Sequence, residues 1–364
     1  MELVPSQKAA LSHITRYARD RKEAAQRTLQ EVLRMSNISP ESFDEAIAKL
    51  KAHARVALHF HPDRPTTNLT TVAESLAECG IYKSQFETLL SNGSVSAFPG
   101  GARDLWERKI FGGAYQLEGT LAAHRPKYGA LDLLQHAEGP APRFGSCYFL
   151  LRPEVSGRST FTYLDSHQDP PEKGTYEEFD DIVAALFTEA FLRDFAIGEK
   201  ELTPSRLLLH LRSNLDKPFL DPADKTPVRN LNHYIEAQVH GELSLANHVE
   251  ILVADPAFRG TRTGTALEQM CQRYRITLHW HMGFALSVDE VPSDFRGPAM
   301  PPLARRIAKR ETIDASCIGE AAMELKRNPA AFADRGSYEE VLQELKLLWH
   351  VLVKYGKPLR CFAA

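Results

Sequence analysis

The sequence predicts an α+β protein in which a mixed sheet is bracketed by helices. Alternation of apolar and polar residues marks strands only between about 128 and 281, while helical periodicity dominates before and after. The strands do not alternate regularly with helices, so a doubly wound sheet is disfavoured. At roughly 150 residues per domain, 364 residues leave room for two or three units able to bury a core.

From the N-terminus, Leu11, Ile14, Tyr17, Ala24, Leu29 and Leu33 recur at helical spacing, predicting one long amphipathic helix over 7–33. Ser39 before Pro40 is a cap and first-turn pair, and Phe43, Ile47, Leu50, Ala54 and Leu58 extend a second helical face up to the histidines. YGALDLL, GSCYFLLRP and RSTFTYLDS, within 128–166, read as strands, the last two as a hairpin. Thr175 and Glu178 make a capping-box start for a helix carrying Phe179, Val183, Leu186, Phe187 and Phe191. Further strands are expected at 234–241, 248–255 and 276–281, a proline-rich linker at 291–302, and closing helices at 313–325 and 338–353. The expected organisation is a helical segment over 1–58, a mixed core over 59–290, and linker with helices over 291–364. No internal repeat or low-complexity tract is present.

Forty-four basic against 47 acidic residues leave a net charge of −3, which does not favour strong attraction to nucleic acid or an anionic membrane. No apolar run approaches membrane-helix length, and the first thirty residues lack a signal-peptide core, so a soluble mature chain starting near Met1 is expected. Five scattered cysteines without a CxxC pair argue against a disulfide framework or thiolate zinc site and fit a reducing compartment. The expected location is the cytoplasm, or outside the cell by a route that needs no signal peptide. GxGxxG after a strand, GxxxxGK[ST], GxSxG and HExxH are all absent.

Several polar clusters remain. In HFHPDR, at 59–64, Pro62 forces His61 extended, and Arg64 offers a planar guanidinium that can clamp phosphate oxygens. The plainer reading is a helix-to-loop exit capped by Asp63. In YKSQFETLLSNG, Tyr82, Ser84, Phe86 and Thr88 alternate with Lys83, Gln85 and Glu87, as in an edge strand ending in an Asn92-Gly93 turn. FGGAY at 111–115 and RPKYGAL at 125–131 crowd aromatics with glycine, and Gly129 after Tyr128 could let a flat ligand reach the backbone, although such residues also suit a core. YIEAQVHG sends Ile235, Ala237 and Val239 to one face and Tyr234, Glu236, Gln238 and His240 to the other. The first is a core face. The second faces either solvent or a cleft, and in a cleft Glu236 could stabilise a cationic transition state.

Together these segments, with HVEILVADPAFRGT, resemble a bacterial and fungal family long labelled only as a domain of unknown function, itself similar to the arginine-serine-glutamate mono-ADP-ribosyltransferases. The resemblance spans roughly 55–290 and implies a split-sheet ADP-ribosyltransferase-like fold over 59–290, with NAD as co-substrate and a protein acceptor, arginine by analogy. It implies no metal. It assigns catalysis to Glu236, Arg64 and Ser84, and NAD binding to His61, Arg64, Ser84, Gln85, Tyr128, Gly129, Gln238 and His240. Arg64 would meet the phosphates, Ser84 would orient the carboxylate, and Tyr128 would stack on nicotinamide. The family places Glu or Gln two residues before the catalytic Glu, whereas here Gln238 follows Glu236. Glu250 therefore stays open as a rival carboxylate, and Thr160 and Thr162 as rivals to Ser84.

Three other readings stand beside it. VADPAFRGTRTGTALEQM, with Arg259, Gly260 and Gly264, resembles the pyrophosphate turn of acetyl-CoA-dependent N-acetyltransferases, although Arg262 stands where glycine is expected. His59 with His61 and His279 with His281 each pair imidazoles on one strand face, a pattern suited to a zinc hydrolase. A non-enzymatic interaction module, with the terminal helices as binding surfaces, is the third.

Overall fold

The structure, a computed structural model, describes residues 2–90 and 97–362. The anticipated Asn92-Gly93 turn lies outside the described residues. Helices α1 (Pro5–Met35) and α2 (Pro40–His53) precede strand β1 (Arg55–Phe60), and α3 (Val72–Cys79), α4 (Gln85–Thr88) and α5 (Ala102–Ile110) separate it from β2 (Lys127–Asp132). Strands β3 (Cys147–Leu151), β4 (Ser159–Tyr163) and β5 (Lys173–Thr175) lead to α6 (Asp180–Arg193), the small hairpin of β6 (Phe195–Ala196) and β7 (Glu199–Lys200), and α7 (Pro204–Ser213). Next come β8 (Ile235–Val239), α8 (Leu245–His248), β9 (Val249–Ala254), α9 (Arg262–Tyr274) and β10 (Thr277–Trp280). The chain closes with β11 (Ala285–Ser287), α10 (Met300–Ile307), β12 (Thr312–Asp314), α11 (Ala315–Arg327) and α12 (Tyr338–Tyr355). The α+β class holds, but the strands are not confined to 128–281: β1 precedes that stretch and sits inside the main sheet, and β11 and β12 follow it.

Eight strands form one sheet in the order β10-β9-β3-β1-β2-β8-β4-β5, antiparallel except for β9 and β10. Its apolar face, with Val56, Leu58, Phe149, Ala237 and Phe161, joins residues of the surrounding helices in the main core. Long helix α1 lies along α6, burying Ala25 and Leu29 and pairing Arg19 and Lys22 with Glu178 and Arg21 with Asp181, at 2.8–2.9 Å.

The middle of the sheet forks. Strands β1 and β2 pair only through Arg55–Asp132, Val56–Leu131 and Ala57–Ala130. Beyond that point Leu58, His59 and Phe60 stay with β3, while Lys127, Tyr128 and Gly129 stay with β8. Gly129 sits at the parting: a Cβ there would lie 2.4 Å from the Ala57 carbonyl oxygen and 2.7 Å from Leu58. The missing side chain makes room for the neighbouring strand. It does not serve mainly to admit a ligand, as the sequence reading supposed.

Four local expectations are corrected. The second helix ends at His53 instead of continuing to Leu58, and Ala54 is already extended. A spacing of four, as between Ala54 and Leu58, repeats on a helix face and on a strand face alike, so periodicity could not separate the two. Strands β3 and β4 are not a hairpin: β3 is buried on both faces between β1 and β9, β4 pairs with β8 and β5, and the turns over Pro153–Arg158 carry the chain across. YKSQFET is not a strand either. Ser84 Oγ accepts from the Glu87 N–H at 3.3 Å while the Glu87 carboxylate accepts from the Ser84 N–H at 2.7 Å, a reciprocal cap that starts α4. Thr175 ends β5, and α6 starts later, at Asp180. The closing helices stand close to their expected bounds, and Pro301 and Pro302 occupy the first turn of α10.

Because the Gly129 overlap involves backbone, Gly129→Ala is expected to destabilise the protein by about 2–3 kcal/mol, whereas Gly157→Ala, with open space around it, should stay within about 0.5 kcal/mol. Urea unfolding midpoints of the two variants will show the difference.

Candidate functional site

A cavity of about 930 Å³ opens where the sheet forks, within the range of small-molecule sites. His59 and Phe60 from β1, Tyr128 and Gly129 from β2, and Glu236 from β8 reach it. Loops and helices close the remaining walls, with Arg64 after β1, Ser84 and Gln85 at the start of α4, Arg103 and Trp106 from α5, Arg143, Asp165 and Lys346.

Glu236 is 5% exposed. Burial, followed by the Asp165 carboxylate, raises its pKa to about 7 against hydrogen bonds from Ser166 and Gln238 that pull it down. The Ser166 hydroxyl donates to Oε1, and the Ser166 N–H lies 3.4 Å from Oε2. Gln238 Nε2 donates to Oε1 at 2.9 Å, and Thr160 Oγ1 donates to Gln238 Oε1 at 2.7 Å. Behind Thr160, His240 Nε2 lies 3.1 Å from its oxygen, and the Tyr115 hydroxyl meets His240 Nδ1. Since the single Thr160 proton is given to Gln238, the hydrogen on His240 sits on Nε2, and Tyr115 donates to Nδ1. Burial holds the His240 pKa down to about 3, so the ring is neutral as this arrangement demands. The result is one directed row of neutral donors, from Tyr115 through His240, Thr160 and Gln238, ending on Glu236.

The second wall is aromatic. The Arg103 guanidinium lies 4.6 Å from the Trp106 ring centre and 5.1 Å from that of Tyr128, and Trp106 also meets His167 edge-on at 5.4 Å. Tyr128 donates to Glu107 at 2.8 Å, and fully buried Glu107 is in turn bound by Arg125 at 2.8 Å.

Of the eight positions besides Glu236 that the sequence places in the site, His61, Arg64, Ser84, Gln85, Tyr128 and Gly129 line the same cavity as Glu236, whereas Gln238 and His240 do not. Those two are fully buried behind Glu236 and act on it. Ser84 does not orient the carboxylate: its hydroxyl donates to the Ala122 carbonyl at 2.7 Å and caps α4. Thr160 acts through Gln238, and Thr162 donates to the Leu164 carbonyl at 2.9 Å. Glu250, the rival carboxylate, is on β9, partly exposed and 3.4 Å from Arg55, and does not line the cavity.

The histidine pairs do other work. His59 Nδ1 faces the Gly145 carbonyl at 3.3 Å and its Nε2 accepts from Ala141 at 3.2 Å, while His279 packs on Phe219 and His281 bonds Ser146 and Gly283. Among the described residues, no three His, Cys, Asp or Glu side chains converge as a metal site. The Arg259–Gly264 turn lies outside the cavity, with Arg262 paired to Glu74 and Gly264 packed against the Phe258 carbonyl. All five cysteines are free, and among the described residues no helix is long and apolar enough to cross a membrane.

Residues 55–355 match the model of a family described as a protein of unknown function, DUF3626. The chain belongs to the DUF3626 family. No curated protein matches it. The DUF3626 match runs well past 290 and takes in α12, which brings Lys346 to the cavity.

Sequence reasoning missed Arg103, Trp106, Arg143, Asp165, Ser166 and Lys346. Asp165 and Ser166 end the RSTFTYLDS segment, so their link to Glu236 was within reach once β4 was paired with β8. The others come from separate elements that share no local pattern with β8.

A pKa raised from 4.5 to about 7 means that folded protein keeps a proton that the unfolded chain releases across that interval, so this group's stabilising share falls as pH rises. Glu236→Gln should therefore match the parent near pH 4 and exceed it at pH 8 by up to about 3 kcal/mol. Thermal melts at the two pH values test this.

Proposed function

We propose that the cavity binds NAD, that Glu236 promotes cleavage of the nicotinamide–ribose bond, and that ADP-ribose passes to a protein side chain, arginine by analogy with the enzymes the motifs resemble. The observation that carries this reading is a buried carboxylate, fixed by a row of neutral donors, opening into a cavity that also holds Arg64 and an aromatic wall. The forked sheet supports it, because the fork creates a cleft at the end of the strand that bears Glu236.

The chemistry asks for little else. The C1′–N bond breaks with its electron pair leaving on nicotinamide, so the ring nitrogen loses its positive charge while positive charge builds on the ribose. An ionised Glu236 beside the ribose interacts more strongly with that cation than with the ground state, and can accept a hydrogen bond from a ribose hydroxyl. The acceptor nitrogen then bonds to C1′ and gives up its proton to solvent or to a nearby base. Ser166 takes the orienting role that the sequence reading gave to Ser84, and Arg64 faces the phosphates. Trp106 and Tyr128 lie against each other with Arg103 over both rings, and together they make the aromatic surface that would meet nicotinamide.

Purified protein incubated with labelled NAD and a lysate should release nicotinamide and label protein. Glu236→Gln should lose about 10²- to 10³-fold in rate, while Glu250→Ala keeps it. No NAD consumption by the parent, or full activity in Glu236→Gln, would overturn the proposal.

Because the ionised carboxylate is the active form, the rate should rise with pH to a half-maximum near 7. Ser166→Ala removes a hydrogen bond that lowers the Glu236 pKa, so its half-maximum should move to higher pH. Pre-steady-state nicotinamide release across pH 5–9 measures both.

A further inference from the structure

Helix α12 ends the matched segment and lies far in sequence from Glu236, yet it contributes a cavity-lining residue that is only 7% exposed, Lys346. The helix is held in place by Trp349, whose indole N–H donates to the Pro142 carbonyl at 2.8 Å and whose ring meets His61 edge-on at 5.4 Å. Neighbouring Arg143 brings a second cation to the same cavity, and Arg64 a third.

These cations act on one another. Arg143, Arg64 and Arg296 all bear electrostatically on Lys346, and the same charges reach His61 and His350. Both imidazoles are held neutral, chiefly by burial, so they do not add to the positive charge at neutral pH. Carboxylates in the field are Asp63 beside Arg64 and Asp165 near Lys346. Asp63 is itself pushed up to about 7 by burial, which weakens it as a counter-charge. The Arg143 guanidinium is partly satisfied, since Nη1 donates to Asn232 Oδ1 at 3.0 Å, but its buried Nε–H has no acceptor among the described residues. Several cations lining one low-dielectric corner favour an anionic ligand there. Guanidinium and ammonium groups on three walls suit tetrahedral phosphate oxygens.

We propose that Lys346, Arg143 and Arg64 form a diphosphate-binding corner, so that the C-terminal helix belongs to the ligand site and the cavity takes a nucleoside diphosphate group. The inference deepens the NAD reading and rests on the same cavity, but it concerns binding alone. It places the diphosphate beside α12, in a cavity where the Asp165 carboxylate acts electrostatically on both Lys346 and Glu236.

Calorimetric titration of the full-length protein with ADP, inorganic pyrophosphate and adenosine tests the corner. ADP and pyrophosphate should both bind. Lys346→Ala should weaken each by at least about tenfold, with partial recovery in Lys346→Arg, and adenosine binding should not change. Lys346→Met keeps the length of the side chain and the helix, and serves in place of alanine if that variant does not fold. ADP binding without pyrophosphate binding, unaltered affinities in the Lys346 variants, equal weakening of adenosine, or no binding of either anion to the parent would overturn the proposal. Diphosphate binding with these Lys346 effects but no NAD cleavage would remove the enzymatic reading and leave the corner standing.

Discussion

A carboxylate held in the middle of a sheet has to be compensated, and much of the arrangement around β8 follows from that one requirement. Glu236 is largely withdrawn from bulk water, so hydrogen bonds from Ser166 and Gln238 take over part of its solvation. Gln238 must then be held with its amide donor toward Glu236, which Thr160 does by donating to its carbonyl. Thr160 in turn needs a donor on its other side, and the neutral ring of His240, fixed by Tyr115, supplies it. Such a row tolerates few substitutions, because each member fixes the proton position of the next.

The same strand explains how an open space can exist beside so much buried polarity. One face of β8 adds Ile235, Ala237 and Val239 to the main core, which anchors the strand. Its other face is free to carry polar groups only because β4 pairs alongside and lends Thr160 and Thr162. The cavity forms where β1 and β2 cease to pair, between their ends. Residues distant in the chain, from α4 and α5 through to α12, then surround the opening.

Several parts of this were legible in the sequence because they are local. The strand face of YIEAQVHG followed from period-two alternation, and α12 stands close to the closing helix expected over 338–353. The Ser84–Glu87 capping box was also written in the sequence, but the alternation of YKSQFET imitated a strand over the same residues. Ala54 and Leu58 were ambiguous because four residues return to the same side of either a helix or a strand. The supposed hairpin failed for a different reason. Nothing local to β3 and β4 says that each will find its partners on opposite sides of β1 and β2.

By itself the sequence determined the α+β class, the two faces of β8 and the helical ends of the chain. Each of these depends on propensity or on the periodicity of side chains along a single element. Only the tertiary structure decided that Ser166 rather than Ser84 holds Glu236, that Gln238 and His240 stand behind the cavity instead of in it, and that Lys346 joins it from the far end of the chain. These outcomes depend on strand order and helix docking, which are set by how buried surfaces fit across the whole molecule and leave no repeat in the local sequence.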